Sequence, residues 1–176
     1  MSTEALPAPK FFATTIGFGE HLPMRAYLTV GVHERDEILV VRAPPKLGQD
    51  KQLEEAVKRF SDFLQAIRPA GLIVRELELD PLGFKENVLT LLKEFLDAKG
   101  RGLKVVVNPV AGLRSLGLAL FYALTFVGGW VTLQHEVSGE TKMVEVAPVR
   151  LSLKKEKEEI LRALKSGLDV RDIAAR

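Results

Sequence analysis

Apolar residues follow two spacings along this chain, and their alternation predicts an α/β fold. Short apolar runs such as residues 38–41 are typical of buried strands, whereas the spacing of Leu53, Val57, Phe60 and Leu64 is typical of an amphipathic helix. These patterns predict six strands, at residues 11–16, 37–42, 72–79, 103–107, 130–137 and 143–149. They also predict four helices between the first five strands, at residues 23–32, 51–67, 84–98 and 113–127.

The order of these segments predicts the topology. Strands separated by single helices imply right-handed crossovers, and therefore a parallel sheet covered by helices on both faces. The last two strands are joined by Ser138-Gly139-Glu140, a hairpin-type connection, so they must be antiparallel to each other. We therefore expect an α/β, Rossmann-like, doubly wound fold. Its six-stranded sheet is mainly parallel, ends in an antiparallel hairpin and is followed by a short helical extension.

Composition divides the chain into three parts. Residues 1–9, rich in Ala and Pro, predict a flexible tail, and residues 10–150 form the Rossmann-like domain. Residues 151–176 are much more charged and predict one helix, then a second that Asp169 is placed to cap, as in the start of a helix-turn-helix. No third helix follows, so this segment is interpreted as a truncated helix-turn-helix or a simple helical hairpin.

Charge and cysteine content limit the possible functions. A net charge of +2 gives no global argument for binding nucleic acid or membranes, so any anion site must be local. The absence of cysteine excludes disulfides, thiolate catalysis and cysteine metal sites. Only four Gln and two Asn, among many charged residues, favour a thermophilic source.

Residues 116–133 carry no charge, but Gly128-Gly129 interrupts them. A buried helix running into a central strand fits better than a membrane span, and a cytoplasmic protein is expected.

The loop after the first strand is a candidate ligand site, because open parallel sheets bind ligands outside the carboxyl ends of their strands. It reads Gly17-Phe18-Gly19 and continues into Glu20 and His21. Glycines allow a ligand to approach the backbone, and amide groups at a helix start favour an anion. Leu22 stands where a dinucleotide site needs a third glycine, which argues against NAD. A tight turn without any ligand is the alternative.

The loop after the fourth strand is the second candidate. Its residues are Asn108, Pro109, Val110, Ala111, Gly112, Leu113 and Arg114. A cation in the first turn of a helix is electrostatically misplaced, because that end is already positive. A bound phosphate would resolve the conflict for Arg114, and an ion pair with a surface carboxylate is the alternative. The chain's histidines, His21, His33 and His135, are too widely spaced for a metal site, and no catalytic residue or cofactor is predicted.

Two motifs resemble those of the CARF family, the CRISPR-associated Rossmann-fold sensor domains. They are FATTIGF at residues 12–18, and Gly112-Leu113-Arg114 entering an apolar helix. The resemblance covers residues 11–176 and is nearest to archaeal CRISPR-associated regulators that join such a domain to a winged helix. It implies a homodimer that binds a cyclic oligoadenylate, typically cyclic tetra-adenylate, across its two-fold axis. The two loops of both subunits, residues 17–21 and 108–114, would line the pocket.

The same resemblance leads to three hypotheses about function. Gly112 and Arg114 match the family's small and basic residues, but Val110 replaces a frequent Ser or Thr, and Asn108 a commonly acidic residue. The missing hydroxyl weakens the case for phosphate contact and for ring cleavage. The leading hypothesis is a non-catalytic sensor that regulates transcription or effector output through its C-terminal helices, with DNA as a partner only if the helix-turn-helix is complete. A metal-independent ring nuclease and a ligand-free dimerisation module, which would use the helix at 116–126, are the alternatives.

Overall fold

The structure, a computed structural model, describes residues 9–17, 19–45, 50–67, 69–134 and 140–149. Within these ranges the strands are β1 (Lys10–Thr15), β2 (Glu37–Arg42), β3 (Ile73–Glu78), β4 (Lys104–Asn108), β5 (Gly129–Gln134) and β6 (Thr141–Val146). The helices between them are α1 (His21–Val30), α2 (Asp50–Ala66), α3 (Phe84–Gly100) and α4 (Arg114–Val127).

The strands form one sheet in the order β3-β2-β1-β4-β5-β6. All neighbouring pairs are parallel except β5 and β6, which are antiparallel. The chain first moves outward from β1 to β3, then returns to the other side of β1 and continues outward from β4. The Rossmann-like fold with its terminal antiparallel pair is therefore confirmed, and its topological switch point lies between β1 and β4.

Alternating side chains of the central strands divide the core into two layers, because successive residues of a strand face opposite sides of the sheet. Phe12 and Val40 belong to one apolar cluster with residues of α1 and α2. Phe11 and Val41 belong to the other, with residues of α3 and α4. The buried runs of the sequence are thus apolar throughout, since both faces of these strands are covered.

The six strands and four helices predicted between residues 11 and 149 all occur, and most of their described boundaries lie one to three residues from the predicted ones. Three of these shifts concern α1, β5 and β6. Helix α1 begins at His21, two residues before Pro23. Proline is tolerated there because the first turn has no intrahelical partner for its N–H groups. Strand β5 begins one residue early, at Gly129. Strand β6 ends at Val146 rather than at Val149, whose backbone N–H donates to the Thr125 carbonyl at 2.7 Å instead.

The uncharged stretch at 116–133 is α4 followed by β5, as predicted, and β5 is an interior strand. No helix of the described ranges is long and apolar enough to cross a membrane. The predicted tail at 1–8, the hairpin turn at 135–139 and the helices at 151–176 lie outside the described residues.

A buried ion pair fixes α1 to the amino edge of the sheet. The Lys10 ammonium and the Asp36 carboxylate are 2.7 Å apart, and both side chains are fully buried. Asp36 also accepts hydrogen bonds from the Tyr27 hydroxyl at 2.9 Å and from the His33 backbone N–H at 3.0 Å. Lys10 in turn donates to the carbonyl of Gly31, the residue that ends α1. The C-terminal end of α1, opposite the first loop, is therefore held to the sheet by the Lys10–Asp36 ion pair and its hydrogen bonds.

The buried Lys10 and Asp36 side chains depend on each other for charge compensation. Desolvation lowers the pKa of Lys10, and the hydrogen bond to Asp36 and its negative charge oppose that shift. Burial also raises the pKa of Tyr27, which keeps its hydroxyl protonated as a donor to Asp36. Removal of one partner leaves the other charge buried without compensation, which is far more costly than loss of an exposed pair.

We predict that Asp36→Ala lowers the free energy of unfolding by about 3–5 kcal/mol, because it leaves the Lys10 ammonium buried and unpaired. The matched control is Glu94→Ala, which removes the partner of Arg75 in a part-exposed pair and should cost no more than about 1 kcal/mol. Urea unfolding followed by circular dichroism measures both. Equal losses in the two variants would contradict this account of the ion pair.

Candidate functional site

The two candidate loops meet at the switch point, where β1 and β4 end side by side. Thr14 and Asn108 are register partners in these strands. A Cβ placed on Gly17 would lie 2.7 Å from the Ala111 carbonyl oxygen, and one on Gly112 would lie 2.8 Å from the Ile16 carbonyl oxygen. The loops therefore touch through their backbones, and only glycine permits this distance at both positions.

Three buried polar side chains lie directly below this contact. The Asn108 amide nitrogen donates to the Thr14 hydroxyl at 3.2 Å, which donates to the Thr15 carbonyl at 3.0 Å. The Asn108 amide oxygen and the Thr15 hydroxyl are buried and have no hydrogen-bond partner among the described residues. Because an unsatisfied buried polar group costs about 1–3 kcal/mol, such groups mark places where water or a ligand supplies the missing bond.

The start of α4 is suited to an anion. Leu113 precedes the helix in an extended conformation, and no side chain caps the first turn. The first backbone N–H groups of a helix have no intrahelical partner, and they carry the positive end of its dipole. There is no acidic residue in this turn. Arg114 is exposed and makes no ion pair with a carboxylate of the described ranges, so the alternative of a surface pair for Arg114 finds no support there.

The start of α1 is less suited to an anion. The Leu22 N–H already donates to the Gly19 carbonyl at 3.2 Å, and Pro23 has no N–H to offer. Glu20 occupies the N-cap position and adds a negative charge. Its carboxylate is turned toward α2, where Arg59 lies 3.0 Å away. Of the two helix starts at this edge, α4 therefore offers the stronger attraction for an anion.

The sequence of the chain matches a known protein family. The family model described as the Csa3 CRISPR-associated Rossmann-like domain matches residues 10–163, which is most of the chain. The chain belongs to this family. The resemblance to CRISPR-associated Rossmann-fold domains is thereby confirmed, whereas closeness to the winged-helix regulators within them stays a prediction. No curated protein has a sequence that matches this chain.

Solved structures share the fold of this Csa3-type domain at low sequence identity. A type III CRISPR defence DNA nuclease activated by cyclic oligoadenylate has 22% identity and a TM-score of 0.58 over 84% of this chain. Protein VC1899 from Vibrio cholerae has 16% identity and a TM-score of 0.56 over 78% of this chain. The matched regions are only 22% of the nuclease and 36% of VC1899, so this chain corresponds to one part of each.

The Csa3-type domain brings some of the predicted site residues into contact, and the others differ in their exposure. Gly17, Ala111 and Gly112 are in direct contact. Asn108 lies buried below them. The remaining described residues of the second loop surround this contact: Pro109 is half-buried, and Val110, Leu113 and Arg114 are exposed. Gly19 and Glu20 are half-buried, His21 is exposed, and Phe18 lies outside the described residues.

Two functional candidates were not predicted from the sequence. The first is Thr15, whose buried hydroxyl lies near Gly112 and has no partner among the described residues. In the sequence it was noted only as part of the FATTIGF motif. Gly117 lies on the buried side of α4, where an added Cβ would overlap the Pro109 carbonyl oxygen. A lone glycine inside an apolar helix was the available signal, since it is costly in a helix unless close packing requires it. Gly117 thus lets the second loop rest directly on α4.

We predict that Gly117→Ala destabilises the protein by about 1–3 kcal/mol, because its methyl group would push the rigid Pro109 carbonyl away from the helix. Gly100→Ala is the matched control: this residue ends α3, and a Cβ there meets no atom within 4 Å. That variant should be neutral or stabilising by up to about 1 kcal/mol. Urea unfolding compares the two, and a harmless Gly117→Ala would contradict the tight contact.

Proposed function

We propose that this chain is the sensor domain of a CRISPR-associated protein and binds a cyclic oligoadenylate. The phosphates would lie at the start of α4, against Arg114 and the first backbone N–H groups of the helix, beside Gly112. The observation that carries the proposal is the exposed Arg114 in an uncapped helix start that contains no acidic residue. A bound phosphate would explain why Arg114 lies at the positive end of a helix, because the helix end and the guanidinium both attract the phosphate.

Membership of the Csa3-type family supports a CRISPR-associated role, and the similar nuclease is one that cyclic oligoadenylate activates. The polar groups below the loops agree with this assignment. The Thr15 hydroxyl and the Asn108 amide oxygen lie at the base of the loop contact without partners in the described structure. Thr15 and Asn108 face opposite sides of the sheet, so each would bond its own water or ligand atom. Together they would substitute in part for the hydroxyl that Val110 lacks.

We further propose that the ligand is shared by two copies of the chain. Helix α4 presents an exposed apolar face, with Leu118 61% exposed, Tyr122 50% exposed and Phe121 39% exposed. Val110 and Leu113, at the ligand loop, continue this face at 41% and 49% exposure. An exposed apolar patch of this kind is typical of an interaction surface. A two-fold axis beside α4 would bury it and bring two Arg114 side chains to one ring.

The same helix offers a route from ligand to output. The first turn of α4 lies at the ligand site, and Thr125 near its other end accepts the backbone N–H of Val149 at 2.7 Å. Pro148 packs against Gly128, where an added Cβ would meet its ring carbon at 2.7 Å. A ligand that shifts α4 would therefore shift the chain as it enters the C-terminal segment at 151–176. We propose that this segment passes the signal to a transcriptional or effector module.

We predict that the protein binds cyclic tetra-adenylate with one ring per two chains, measured by isothermal titration calorimetry. Arg114→Ala should weaken binding by about tenfold or more, because charge-assisted hydrogen bonds contribute about 1.5–3 kcal/mol each. The control is Lys93→Ala, which removes an exposed cation from α3 and should leave the affinity unchanged.

Two results would contradict the sensor assignment. Absence of any heat or thermal stabilisation with cyclic oligoadenylates of every ring size would favour a ligand-free dimerisation module. Conversion of the labelled ring to a linear product, abolished in Arg114→Ala, would identify a ring nuclease instead.

A further inference from the structure

A carboxylate lies within the first loop, and this loop contacts the second loop, where a polyanion is proposed to bind. Glu20 follows Gly19 and occupies the N-cap of α1, three residues after the Gly17 contact with the second loop. Its side chain is 19% exposed. A fixed negative charge here opposes the approach of a ligand with several phosphates, because like charges repel over distances up to about the Debye length.

Protonation does not relieve this repulsion. The pKa of Glu20 is lowered, first by a hydrogen bond from its own backbone N–H and then by the hydrogen bond from Arg59. The carboxylate is therefore charged at neutral pH.

Arg59 supplies the compensating charge from a different element. It lies on α2, and its guanidinium donates to the Glu20 carboxylate at 3.0 Å. The same guanidinium is 3.4 Å from Glu55, its neighbour one turn earlier in α2. The side chain of Arg59 is 60% exposed, so the pair contributes little to folding. Its position matters more for the charge of the loop than for the stability of the fold.

We infer that Arg59 is a positioning residue for ligand binding, which acts by neutralising Glu20 at the first loop. The inference rests on the proposed function. It assigns a role at the ligand site to α2, which contributes no residue to either loop. The Arg59 guanidinium offsets the Glu20 charge, holds the first loop toward α2 and leaves the positive start of α4 as the dominant charge at this edge.

The experiment is a double-mutant cycle with cyclic tetra-adenylate and, as a second probe, inorganic tripolyphosphate. Arg59→Ala should weaken the binding of both by about three- to tenfold at low salt, because it leaves Glu20 uncompensated. Glu20→Gln should bind both probes more tightly than wild type, because it leaves Arg59 as an uncompensated cation. The double variant should return to about the affinity of the wild type, because both charges of the pair are then absent. Raising the salt concentration should shrink the loss in Arg59→Ala, since exposed charges are screened.

The matched control is Arg75→Ala, which breaks a comparable pair with Glu94 at 2.6 Å in the other helix layer and should not change affinity. A double variant as weak as Arg59→Ala, or a loss that salt does not reduce, would overturn the inference and assign Arg59 to direct contact or to loop shape. No effect of Arg59→Ala would overturn it as well. Failure of the wild type to bind either probe would instead contradict the proposed function itself.

Discussion

Close approach of two backbones at the switch point is the constraint on which the candidate site depends. The loop after β1 and the loop after β4 leave adjacent parallel strands toward opposite faces of the sheet, and they diverge only after touching. The contact is made between Gly17 and Ala111 on one side and between Gly112 and Ile16 on the other. Larger side chains would separate the loops, and the buried polar groups below them would then be exposed to water.

The helices that leave this contact have different roles. Helix α4 is held against the second loop by Gly117 and has an uncapped, electropositive first turn. Helix α1 is preceded by Glu20 at its N-cap, and its far end is tied to the sheet by the Lys10–Asp36 pair. Helix α4 thus has a start that can attract an anion, and near its other end it accepts a hydrogen bond from Val149. The other is anchored at both ends, since Gln134 of β5 also donates to the Leu22 carbonyl at its start.

Local patterns were sufficient to predict the architecture. Apolar spacing distinguished the amphipathic helix α2 from the buried run of β2, and single helices between strands implied the parallel order. The same patterns could not reveal contacts between distant segments. Thr14 and Asn108 are 94 residues apart in sequence, and the hydrogen bond between them depends on β1 lying beside β4. Lys10 resembles an ordinary polar residue before a strand, and only its pairing with Asp36 explains why it is buried.

The proposed ligand rests on different observations from the fold. The residues themselves indicated an anion near Arg114, while the family resemblance supplied cyclic oligoadenylate. The structure adds the reason why Gly112 and Arg114 belong together: the glycine lets the two loops meet, and the arginine begins the helix that follows. The start of α1 offers an anion less attraction than the start of α4, because Glu20 lies at its N-cap and Pro23 in its first turn has no N–H.

Hydrogen–deuterium exchange with and without cyclic tetra-adenylate tests most directly whether the two loops form one ligand site. The account predicts slower exchange in peptides that cover residues 15–22 and 108–117 together, with little change at the opposite edge of the sheet. Protection confined to one of the two loops, or to the groove near Lys99, Lys104 and Trp130 at the amino edge, would contradict it.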